Sequence, residues 1–168
     1  MKRERLFKRF VPVLMAVFLV PLWAAHSGAV EEKQATTPSL YERLGGVDNI
    51  AVVTDEIIER SYVNKIFHAN PSIGEAHAQF PKAAYKFKVT LLVCQATGGP
   101  CKYVGRSMKE AHQHLNVTEK EWKELISIIR ESLDKYKVPL KEQDELIAGL
   151  DKPKGEIVIP ATAAAKDK

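Results

Sequence analysis

One histidine of this chain has neighbours that suit metal chemistry. Met108, Ala111, His112 and Leu115 recur at i, i+3, i+4 and i+7, so His112 lies within an apolar helical stripe and is aimed at a core. His114, two residues on and about 200 degrees around a helix, is aimed at or near solvent. A histidine on a buried stripe has two readings. It is either a neutral imidazole satisfied by a backbone carbonyl, or a ligand to a metal or haem iron. Spacing alone leaves both open.

The two cysteines offer a second chemistry. Cys94 and Cys101 flank Thr97-Gly98-Gly99-Pro100, a strong turn signal, so a disulfide between them is geometrically open, as are two free thiols. A zinc set of Cys94, Cys101, His112 and His114 is disfavoured. Histidines at i and i+2 of a helix diverge, and the cysteine spacing is loose for a structural zinc site. The chain shows no paired carboxylates, nucleophile elbow or phosphate loop.

These residues need helices to position them. Ser39 and Glu42 form a capping box opening a short helix that Gly45-Gly46 ends. A longer helix from about Val47 to Tyr62 puts Val47, Ile50, Val53, Ile57 and Ile58 on one face. Asn70-Pro71 and Phe80-Pro81 break the stretch from 64 to 82. From Lys82 to Ala96 the pattern is helical and apolar on two sides. One stripe is Ala84, Phe87, Leu91 and Cys94; the other is Tyr85, Val89, Leu92 and Ala96. Such a helix packs against something on both sides, the rest of the protein on one and an apolar ligand on the other. Ser107 with Glu110 and Thr118 with Glu121 are further capping boxes. The second opens a clean amphipathic helix carrying Trp122, Leu125, Ile126, Ile129, Leu133 and Tyr136. Pro139 starts a last helix, and the tail from about Lys152 reads as disordered. The fold class is all-α.

The start of the chain reads as an export signal. Lys2, Arg3, Arg5, Lys8 and Arg9 precede an apolar run from Phe10 to Ala25, and Ser27-Gly28-Ala29 is a small-x-small cleavage site. The run is short for a membrane span and contains Pro12 and Pro21; an uncleaved anchor is the alternative. Cleavage after Ala29 leaves 139 of the 168 residues, enough for one domain with one core. The leader takes five of 25 basic and one of 21 acidic residues, leaving 20 of each. The basic balance thus belongs to the leader and gives no support for nucleic-acid binding. The expected layout is signal peptide 1–29, flexible lead-in 30–38, helical domain 39–151 and tail 152–168.

From Leu40 to about Leu150 the sequence resembles the group 1 truncated haemoglobins. The resemblance rests on Leu40-Tyr41-Glu42-Arg43-Leu44-Gly45-Gly46 and on Gly98-Gly99-Pro100. Tyr103, Gly105 and Met108-Lys109-Glu110-Ala111-His112 follow, and Val138-Pro139 comes later. It implies a two-over-two helical sandwich holding one haem b, with His112 as proximal ligand and Met108 packed beside the macrocycle. It also implies reversible binding of oxygen, nitric oxide or carbon monoxide. Tyr103, Phe87, Leu91, Tyr85, Val89 and Ile58 complete the expected haem surroundings.

The match departs from the family on the distal side. Ile58, after Ile57, stands where members commonly carry a tyrosine, and Val89 stands where they often use a glutamine. The pocket is therefore expected to be more apolar than usual, unless Tyr85, Thr90, Gln95 or His77 supplies a donor. Tyr85 ranks first, its other reading being an aromatic at the surface edge. Phe67 and Phe80 both remain open for the family's haem-packing phenylalanine. The expected protein is a periplasmic monomer with an unidentified reductant. A cofactor-free helical module and a haem enzyme for nitric oxide dioxygenation are the competing readings.

Overall fold

A computed structural model describes residues 37–160. The expected signal peptide, most of the lead-in and residues 161–168 of the tail lie outside the described residues. Within them the chain forms helices and no strand. In order these are α1 (Leu40–Arg43), α2 (Gly46–Tyr62), α3 (Lys65–His68), α4 (Pro71–Gln79), α5 (Lys82–Ala96), α6 (Met108–His112), α7 (Glu119–Lys135), α8 (Leu140–Asp151) and α9 (Lys154–Ile157). No helix among the described residues is long and apolar enough to cross a membrane.

The helix starts follow from the capping chemistry. Ser39, Ser107 and Thr118 each close a reciprocal box with Glu42, Glu110 and Glu121. Asn64 and Asn70 cap α3 and α4 through their side-chain oxygens, and Pro71 occupies the first turn of α4, where its missing N–H costs nothing. Gly45 and Gly46 both sit at positive φ, which lets α1 turn directly into α2.

α2 is the central element, packed against α5 on one side and α7 on another. Its buried residues Ile50, Thr54, Ile58 and Ser61 recur at helical spacing. Three buried hydroxyls are satisfied within their own helices: Ser61 donates to the Ile57 carbonyl, Thr90 to Lys86 and Ser132 to Ile128. α8 folds back on α7 through Ile129, Leu133 and Ile147. Gln143, only 1% exposed, locks that turn by donating to Asp134 Oδ1 (2.7 Å) and to the Val138 carbonyl (2.9 Å).

The opening motif packs against the middle turn. The Tyr41 amide donates to the Thr97 carbonyl (2.9 Å), and its hydroxyl accepts from the Val47 amide (3.2 Å). The Tyr41 ring covers Gly99, where a Cβ would collide with the ring and lie 2.7 Å from Cys94 Sγ. Two sequence-distant motifs are thus one structural unit. Cys94 and Cys101 are disulfide-bonded, with their Cα atoms 5.7 Å apart. That bond removes both thiolates from any zinc set.

The tail differs from expectation. Helical structure continues past Asp151 into α9, which packs on α6. Ile157 is buried in a cluster with Phe67, Ile73, Val117, Trp122 and Ile128, and the Ile159 amide donates to the Val117 carbonyl. The segment from 152 to 160 is therefore part of the domain. A four-residue helix between Pro153 and Pro160 is too short to show periodicity, so its polar residues masked its one buried anchor.

Candidate functional site

A cavity of about 870 Å³ runs between α2, α5, α6 and α7, within the range typical of sites for drug-sized ligands. Its walls are mainly apolar. Ile57 and Ile58 come from α2, Val89 and Leu92 from α5, Met108 and Ala111 from α6, and Leu125 from α7.

His112 reaches this cavity from the last residue of α6. Its Nδ1 lies 2.7 Å from the Met108 carbonyl. A carbonyl only accepts, so Nδ1 carries the proton and Nε2 keeps its lone pair. Burial, the largest influence, holds the imidazole below its ordinary range against the opposing effect of the Met108 carbonyl. The ring is thus a neutral, oriented, half-buried imidazole. The Met108 carbonyl satisfies one of its nitrogens and leaves the lone pair of the other available.

Met108 and Leu115 pack against the buried cluster of Phe67, Ile73 and Trp122 and also line the cavity. Phe67 is 6% exposed and belongs to that cluster; Phe80, 37% exposed, lies nearly perpendicular to the Tyr85 ring, 6.4 Å away. Phe67 is therefore the phenylalanine placed to pack deep in the site. Tyr103 lines the cavity from the loop before α6, its hydroxyl donating to the Arg106 carbonyl (3.0 Å). The ring lies over Gly105, where a Cβ would overlap the phenol, which explains the Tyr-x-Gly spacing.

α5 presents only one of its two stripes. Tyr85, Val89, Leu92 and Ala96 line the cavity, whereas Phe87 and Leu91 do not. Phe87 is 63% exposed. Phe87 and Leu91, expected beside the haem, lie on the other side of the helix, where only Cys94 is fully buried, under the glycine turn.

The candidate donors also separate. Thr90 bonds back to Lys86, Gln95 accepts the Tyr103 amide, and neither lines the cavity. Tyr85 and His77 do line it. So does Tyr62, one turn beyond Ile58, which the sequence reading did not single out. The Tyr62 ring stacks on His77 at 4.1 Å and lies 6.4 Å from Tyr85. Burial raises both phenols above their ordinary range, so both are neutral O–H groups. The distal end is thus less apolar than Ile58 and Val89 alone imply.

Lys88, Arg106 and His114 also line the cavity. His114 is exposed, as expected, but α6 ends at His112, so a turn rather than a helix places it. An apolar slot with one free imidazole nitrogen and basic groups fits a flat apolar macrocycle that carries a metal and peripheral carboxylates. Haem has that chemistry.

The comparisons agree with this geometry. Residues 39–158 match the family described as bacterial-like globin. Among solved structures, the ferric truncated haemoglobin of Tetrahymena pyriformis is similar, with a TM-score of 0.62 at 17% identity, covering 73% of this chain and 100% of that one. The 2/2 haemoglobin of Synechococcus, solved in the cyanomet state with covalently attached haem, has a TM-score of 0.58 at 21% identity, covering 71% and 95%. No curated protein matches the chain.

Proposed function

The chain belongs to the bacterial-like globin family, and on that premise we propose that it holds one haem b through His112 and reversibly binds a diatomic gas. The observation that carries the reading is the His112 ring itself, protonated at Nδ1 by its bond to Met108 and lining an 870 Å³ apolar cavity with its other nitrogen free. Bound haem would supply an iron able to take a small diatomic ligand.

The chain's residues then divide the work. The Met108 carbonyl sets the tautomer and orientation of His112. Met108, Phe67, Leu115 and Ile58 exclude water from the iron environment. Lys88 and Arg106 pair with the carboxylates of the macrocycle. The string from Tyr103 to His112 supports a place among the group 1 truncated haemoglobins.

The leader of residues 1–29 supports export, with the periplasm as destination and an uncleaved anchor as the alternative. The Cys94–Cys101 disulfide fits such an oxidising compartment. We read the protein as a monomeric gas binder, its reductant unidentified. Haem titration into the purified chain tests the reading: saturation at one equivalent with a sharp Soret band supports it. Failure to saturate returns the fold to the cofactor-free helical module.

A further inference from the structure

We propose that the outer face of α5, together with the extended segment from Lys102 to Arg106, is the docking surface for the reductant, an acidic protein that donates one electron. The proposal rests on the haem reading above and gives the reductant a place and a chemistry.

Charge is segregated along the chain. Between Glu75 and Glu110 there is no acidic residue, and there are six basic ones. Residues 30–168 carry 20 of each sign, so the remainder is correspondingly acidic. Lys82 and Lys86 are neutralised by Glu59 and Asp55 of α2. Lys102 and Lys109 are exposed, and among the described residues neither has an ion-pair partner. Glu110, at the edge of the stretch, is held by Ser107 and lies in the field of Arg106. The net field over this surface is positive, and it steers and orients an acidic partner.

Apolar surface lies in the same stretch. Val104 is 72% exposed, and Phe87 and Leu91 lie on the side of α5 away from the cavity. The two parts adjoin. Cys94 shares the outer stripe with Phe87 and Leu91, and its bond to Cys101, with the Cα atoms 5.7 Å apart, brings the basic segment to the end of that stripe. An apolar centre with a charged rim is the anatomy of a protein interface. One helix stripe and one short segment suit a small, transient encounter, the class to which electron-transfer pairs belong.

The segment is held in place before any partner arrives. The disulfide fixes one end, the Tyr103 amide donates to Gln95 Oε1 (2.7 Å), and the Tyr103 hydroxyl donates to the Arg106 carbonyl (3.0 Å). Exposed Lys102, Val104 and Arg106 alternate with half-buried Cys101, Tyr103 and Gly105, as in an extended chain. Tyr103 thereby links the surface to the cavity that it lines. One electron passes from the donor to ferric haem iron and gives the ferrous form; no covalent bond in either protein changes.

The probe is an acidic [2Fe–2S] ferredoxin. Binding is read from the amide shifts of the haem-loaded, carbon monoxide-bound chain titrated with oxidised ferredoxin. Electron transfer is read as the second-order rate at which reduced ferredoxin reduces the ferric chain, across ionic strength. Shifts should gather on Phe87, Leu91 and residues 102–109. The pair Lys102→Glu, Lys109→Glu should slow reduction about 10-fold or more at low salt, the scale of electrostatic steering. That difference should fade at high salt, where charges are screened. Lys65→Glu, Lys141→Glu, on α3 and α8, makes the same change in net charge and should slow reduction by less than about threefold. Val104→Asp, which puts a charge in the apolar centre, should weaken binding at high salt as well.

Equal losses in the two pairs would overturn the proposal, as would shifts gathered on another face. Binding of the parent to phosphatidylglycerol vesicles that Lys102→Glu, Lys109→Glu abolishes, with no shifts from ferredoxin, would make the occupant a lipid surface and also overturn it. All variants are first titrated with haem. Failure of the parent to take up one equivalent would count against the haem reading itself. Normal uptake without ferredoxin shifts would count against the docking surface alone.

Discussion

The amide of Ile159 donates a 2.8 Å hydrogen bond to the carbonyl of Val117, tying the end of the described chain to the loop that follows His112. Two residues earlier, Ile157 is buried in the cluster against which Met108 and Leu115 pack. The stripe that aims His112 is thus braced from behind by a segment whose sequence reads as a disordered tail.

Removing that brace should loosen the site without abolishing the fold. Ile157→Ala is expected to cost about 2–4 kcal/mol, the usual range for an emptied core position. It should also speed haem loss to an acceptor protein severalfold. Urea unfolding of the haem-free chain and haem-transfer kinetics check this. Unchanged values in both would show that α9 does not support α6.

The Cys94–Cys101 bond closes a small loop around the glycine turn. Reduction, or replacement of both cysteines by serine, should lower stability by about 2–3 kcal/mol through the released loop entropy. Denaturant midpoints with and without reductant measure it. Identical midpoints, with reduction verified by thiol counting, would contradict the assignment.

Gly99 has no room for a side chain, since a Cβ there meets the Tyr41 ring and Cys94 Sγ. Gly99→Ala should therefore destabilise by about 1–3 kcal/mol, the range for overpacking. A combined Gly99→Ala, Tyr41→Ala variant should lose less than the two single changes summed, because each removes the other's clash or contact. Strict additivity in the double-mutant cycle would contradict the packing of the two motifs on one another.

Acid should weaken the union of α1 with α8. Arg43 Nη1 bonds to Glu142 (2.7 Å) and Nη2 to Glu145. The Arg43 bond is the largest influence on the Glu142 carboxyl and holds it below the usual carboxylate range. A carboxylate whose folded pKa is depressed contributes stability that is present above its unfolded pKa. That stability is lost as pH falls through the folded one. Unfolding free energy should thus fall below about pH 4.5, and more shallowly in Glu142→Gln. Matching slopes for the parent and Glu142→Gln over that window would contradict a role for this pair.

Much of the site was legible in the sequence because the relevant signals are local. The Met108–Leu115 spacing placed His112 in the cavity, and three capping boxes marked real helix starts. Less legible was anything set by tertiary approach. Two equally apolar stripes on α5 gave no local reason to prefer Tyr85 and Val89 over Phe87 and Leu91; packing on α2 decides it. Tyr62 lay at the end of a helix, outside the stripe that periodicity emphasises, so only the fold brings it to His77. Arg106 and Lys88 carry no local signal in the sequence and are cavity-lining groups.

The central claim is that His112 Nε2 holds the haem iron, and the most direct measurement is the absorption spectrum of His112→Gly with and without added imidazole. The purified chain reconstituted with haem should show a stoichiometric Soret band in ferric and ferrous forms that shifts on adding carbon monoxide. His112→Gly should lose or alter that band, and free imidazole filling the vacated space should restore it. A His112→Gly spectrum identical to the parent, insensitive to imidazole, would contradict the account.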